Sequence, residues 1–136
     1  METTIHAESQ AVSPTQNERQ WAAGAHAGAL LLAMLTSWAA GIAGAIAAFA
    51  VWMIVRDRST FAAEHAREAL NFNVSMFIYA ALSVLFLVFT LGIGIVLLLP
   101  LWLLLGLMWL VCSLIATFKA YDGRTYRYPL TIRLFR

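Results

Sequence analysis

Two stretches of this chain, residues 20–55 and 69–118, contain no Asp, Glu, Lys or Arg. Charge-free runs of that length are what a bilayer admits and a water-soluble core of this size does not need. Composition points the same way: of 136 residues, 62% are hydrophobic and 12% charged, with a mean hydropathy of +0.77. The chain is expected to be an all-α, multi-pass protein of the cell inner (plasma) membrane.

As one helix, residues 21–55 would run about 50 Å, well past a hydrocarbon core of about 30 Å, so the segment must fold back on itself. The break falls at Thr36-Ser37-Trp38-Ala39-Ala40-Gly41, where small polar residues, a Trp and a Gly coincide. Leu91-Gly92-Ile93-Gly94 marks a second reversal. The reading is a polar N-terminal tail over 1–19 and a four-helix transmembrane domain over 20–119. Its spans lie at about 20–36, 40–55, 69–90 and 95–118, paired as two hairpins, with a charged helix start over 57–68. A basic, aromatic C-terminal tail follows over 120–136. The first twenty residues lack the basic start and cleavage site of a secretory signal.

Charge tests the count independently. With four spans, Arg19, Arg56, Arg58, Arg67, Lys119, Arg124, Arg127, Arg133 and Arg136 share one side of the membrane, and the turns at 36–41 and 91–94 carry no charge. The positive-inside rule then places both termini in the cytoplasm.

Within the spans, Gly24 and Gly28 form a GxxxG, and Ala40, Gly44 and Ala48 repeat the spacing. Close helix packing within the first hairpin is the expectation, with a dimerisation face as the alternative. His26 is the one ionisable side chain inside a span, and Asn71, Asn73 and Ser75 enter the third from the same side. A polar layer of His26, Asn71, Asn73, Ser75 and Lys119 is therefore expected near the cytoplasmic interface, hydrogen-bonding the helices into register. Glu64, Glu68, Asn71 and Ser75 repeat at helical spacing, and Phe61, His65, Phe72 and Met76 do so on another face. One helix thus carries a polar stripe across the water boundary, capped by Ser59 or Thr60. Its charged start, Glu64, His65, Arg67 and Glu68, is a candidate docking surface. Pro129 argues against helix in the tail, which is expected to lie extended at the interface. There Arg124, Tyr126, Arg127, Tyr128, Arg133 and Arg136 would contact anionic lipid headgroups.

The first span with Glu18-Arg19 and His26, "VWMIVRDRSTFAAEHAREALNFN" at 51–73 and "KAYDGRTYRYPLTIRLF" at 119–135 resemble the bacterial Tic-twenty-like family, a domain of unknown function. The likeness covers residues 18–135 and rests most on His65, Ala69-Leu70-Asn71-Phe72 and Tyr126-Arg127-Tyr128-Pro129. It implies a four-span helical fold, a distant tie to a chloroplast import component, and no catalytic residues.

An enzyme finds no support, because the spans offer one His and no acid. His65 and Glu68 are too few ligands for a metal, no cofactor is implied, and Cys112 reads as packing. No basic stripe interleaved with exposed aromatics marks a nucleic-acid surface. Two functions lead: an accessory, scaffold or translocon-like component that docks a membrane-protein partner, or a homo-oligomer conducting a small solute or ion; a membrane-stress or lipid-sensing role through the Arg-rich tail is a third.

Overall fold

The computed structural model describes residues 12–36 and 40–136, with the Ala40 side chain also outside the description. Four helices follow in order: α1 (Gln16–Leu35), α2 (Ala40–Val55), α3 (Thr60–Phe89) and α4 (Ile95–Tyr121). No strand occurs among the described residues. Two of the helices, α3 and α4, are long and apolar enough to cross a membrane, and most of each apolar window is uncovered by protein. Exposed apolar surface of that extent needs lipid or a partner to cover it, which makes this a membrane-associated protein.

Helix α1 starts earlier than composition suggests, so the polar tail expected over 1–19 is helical from Gln16 onward. Thr15 caps it in a reciprocal box with Glu18: the Thr15 hydroxyl accepts from the Glu18 N–H, and the Glu18 carboxylate accepts from the Thr15 N–H at 2.8 Å. Glu18 also accepts from the Ser59 hydroxyl at 2.8 Å, and Ser59 in turn caps α3 through the Ala62 N–H. One carboxylate therefore ties together the starts of two helices. The Thr15 N–H, followed by the Ser59 hydroxyl, holds the Glu18 carboxyl below the usual carboxylate range. At the same end, Arg19 lies against Gly123, whose φ of 76° and lack of Cβ allow that approach just past α4.

Helix α1 packs against all three others, α2 lies mainly on α1 and α3, and α3 and α4 barely touch. The face α1 presents is a row of alanines, with Ala22, Ala25, Ala29 and Ala33 all buried. This corrects the expectation for Gly24 and Gly28. Gly24 sits about 200° round the helix from Ala22, and a Cβ added at either glycine meets nothing within 4 Å. The small residues that pack closely on α2 include Gly41, against the Phe77 backbone of α3, Gly44, over which the Asn73 side chain lies, and the fully buried Ala48.

A Cβ on Gly44 would overlap Asn73 Oδ1 and come within 3.2 Å of the Ala29 carbonyl, where backbone cannot give way cheaply. Gly44→Ala should cost about 1–3 kcal/mol through overpacking, whereas Gly24→Ala should be neutral or slightly stabilising. Unfolding of both variants in detergent, followed by circular dichroism, checks this; equal midpoints would refute the packing assignment.

Candidate functional site

After α4 the chain does not lie flat at an interface. Residues 124–136 run back non-helically, reverse at Pro129 and Leu130, where Leu130 takes φ 54°, and return along α3. Backbone folded against a helix has no ladder to satisfy its N–H and C=O groups, so side chains must do it. One row on α3 does. Glu68 Oε1 accepts from the Tyr128 N–H at 2.9 Å. Asn71 makes a two-way pair with Phe135, accepting from its N–H and donating to its carbonyl, both at 2.9 Å. Ser75 Oγ accepts from the Ile132 N–H at 2.8 Å, and the Tyr79 hydroxyl donates to the Leu130 carbonyl. Arg133 completes the clamp with an ion pair to Glu68 at 3.2 Å.

The folded-back segment explains why α3 and α4 scarcely meet. Tyr128, only 3% exposed, stacks on Phe72 at 3.9 Å between ring centroids and packs with Cys112 and Ala116 of α4. The segment is a wedge between the two helices. The lipid-facing role expected of Tyr128 is thus overturned, because its ring is core. Arg124, Arg127 and Arg136 stay exposed. Tyr126 is half-buried, with the Lys119 ammonium over its ring at 5.3 Å.

Tyr128 reaches a second set of buried groups. Its hydroxyl lies 2.9 Å from His26 Nδ1, and His26 Nε2 lies 2.8 Å from His65 Nδ1. Two proton arrangements satisfy this chain. In one, Tyr128 donates to His26 and His26 donates to His65, leaving an N–H at His65 Nε2. In the other, every proton is passed the opposite way and His65 Nε2 is a bare lone pair. Either way Nε2 is buried with no partner among the described residues.

The single polar layer expected from sequence is therefore two structures. His26 joins His65 and Tyr128, not the asparagines. Asn71 and Ser75 hold the tail, while Asn73 donates to the Ala69 carbonyl and covers Gly44. Lys119 is exposed and belongs to neither. The docking set also divides: His65 and Glu68 are buried and face inward, Glu64 is exposed and Arg67 half-buried. Sequence reading missed Tyr79 and the link from His26 to His65. Both had a signal, since Tyr79 extends the row through Ser75 by one turn and His65 shares a face with Phe61 and Phe72.

Burial pushes the His65 imidazole down to about 4 from an ordinary 6.5, against a smaller opposing effect of the Arg124 backbone. The unfolded chain takes up this proton near pH 6.5 and the folded chain only near 4. Stability is therefore full above pH 6.5 and falls as pH drops through that window, by about 3 kcal/mol across it. Thermal melts in detergent between pH 7.5 and 4.5 check this, and the drop should be smaller in His65→Phe than in the wild-type chain.

Comparison with known protein families gives a match over nearly the whole chain. Residues 17–135 fit the MamF/MmsF family, described as the magnetosome magnetite crystal formation protein family. No curated protein and no solved structure matches the chain. The family match overturns the Tic-twenty-like assignment. That resemblance leaned on His65, Asn71 and Tyr128, which the structure shows holding helices and tail together; residues with such duties mark an architecture more than a lineage. With nearly the whole length matched, the chain belongs to the MamF/MmsF family of magnetosome membrane proteins involved in magnetite crystal formation.

Proposed function

We propose that this protein is a non-enzymatic scaffold of the magnetosome membrane, spanning it four times with both termini in the cytoplasm, and that it positions a membrane-protein partner during crystal formation. The family match carries this reading. The one-ended distribution of charge supports the orientation. Arg19 against Gly123, and Ser59 on Glu18, gather the start of α1, the start of α3 and the end of α4 at one end of the bundle, where the basic residues concentrate. At the opposite end, residues 90–94 contain no charged side chain, and the sequence over 36–41 contains none either. In this orientation the protein offers no acidic surface to a growing crystal from those turns. Its contribution comes through what it organises in the membrane.

The test is removal and restoration of the gene in a magnetite-forming host, with crystals measured by electron microscopy and bound proteins identified after gentle extraction. Loss of the protein should alter crystal size or number, and the wild-type chain should restore it and co-purify with a stoichiometric membrane partner. Unaltered crystals would refute the reading. A closed homo-oligomer without a partner, whose ion flux in vesicles depends on His26, would replace it with the permeation function.

A further inference from the structure

At the charged end, α3 and the returning tail enclose a cleft of about 620 Å³, whose walls include four arginines, Arg67, Arg127, Arg133 and Arg136, against two glutamates. The acids do not balance the bases. Glu68 is already committed to Arg133 and to the Tyr128 N–H. Among the described residues the only ion pairs are that one and Arg56 with Asp57, so Arg67, Arg127 and Arg136 have no carboxylate within salt-bridge distance. Three unpaired guanidinium groups, from a helix and from a separate segment, line one cleft with only the exposed Glu64 left to offset them, a surplus that suits an anion with several oxygens.

A second observation points to the same place. His65 lines this cleft and is 3% exposed, and its Nε2 makes no hydrogen bond within bonding geometry, although the Arg124 backbone lies near the ring. Its Nδ1 is tied inward to His26, so the ring's other nitrogen points away from that contact. Burying a polar nitrogen without a partner costs free energy, and an anion in the adjacent cleft would lower that cost by favouring the N–H at this position. A bound oxyanion would also select the proton arrangement in which Tyr128 donates to His26 and His26 to His65.

We propose that this cleft binds a phosphate-class anion, held by Arg67, Arg127 and Arg136 over His65. The site is independent of the scaffold reading, which stands or falls on crystal phenotype and partner. Phosphate reaches such a site either as a free ion or as the headgroup of an anionic lipid, and the test separates the two. The full chain in detergent is titrated with inorganic phosphate by calorimetry. In parallel it is released from nanodiscs of phosphatidylcholine with phosphatidic acid, and retained lipid is counted by native mass spectrometry. Binding of inorganic phosphate indicates the free ion, retention of phosphatidic acid indicates the headgroup, and either upholds the site. Arg67→Gln with Arg127→Gln should weaken binding about tenfold or more. Arg56→Gln with Arg58→Gln, which removes equal charge outside the cleft, should leave it unchanged. Should the first variant lose helicity, Arg136→Gln, at an exposed position, replaces it. Absence of both ligands, or equal loss in the two double variants, overturns the proposal.

Discussion

A chain ending at Gly123 is expected to lose about 5 kcal/mol or more of stability, since each buried polar group left without its partner costs about 1–3 kcal/mol. Truncation there strips partners from Glu68, Asn71, Ser75 and His26 at once. It also removes the Tyr128 ring from Phe72, leaving α3 and α4 facing a gap they do not otherwise fill. Unfolding in detergent, followed by circular dichroism, should show a much lower midpoint, and proteolysis should cut within α4 more readily. Because α3 reads the tail through its backbone, Leu134→Ala and Thr131→Ala should change the midpoint little. Asn71→Ala should cost about 1 kcal/mol, toward the range measured for hydrogen bonds within membrane proteins. A truncated chain as stable as the full one would mean that the folded-back segment contributes nothing to the bundle.

The second large effect is expected at His26. Replacing it with Ala leaves Tyr128 Oη and His65 Nδ1 buried without partners and opens a cavity between α1, α3 and the tail. Together these should cost about 3 kcal/mol. The three side chains act as one network, so His26→Ala and His65→Ala should not add; a double-mutant cycle should return a coupling of about 1–2 kcal/mol. Additive losses would show that the histidines pack side by side without a shared hydrogen bond. Under the scaffold reading, a His26→Ala chain that still folds should restore normal crystals in cells lacking the protein. Under the permeation reading it should not.

Composition and periodicity were enough to specify the helical elements and their order. Two charge-free runs, a Gly-containing reversal at 91–94 and the continuous stripe from Glu64 to Ser75 are periodic or compositional signals, and periodicity reports which face of a helix is polar. Pro129 likewise announced that the tail is not helical. Tertiary structure decided which polar faces meet. His26 finds His65 39 residues away and Tyr128 102 residues away, and the spacing of none of them specifies that partnership. The same holds for α1, where Gly24 and Gly28 and the alanine row offered two small-residue faces and only packing against three helices at once selected the alanines. The tail was the least legible element. Apart from the Tyr128 ring and the Arg133 ion pair, its contacts with α3 run through backbone N–H and C=O groups, which every residue carries, so little of the side-chain pattern in residues 124–136 records where they will dock.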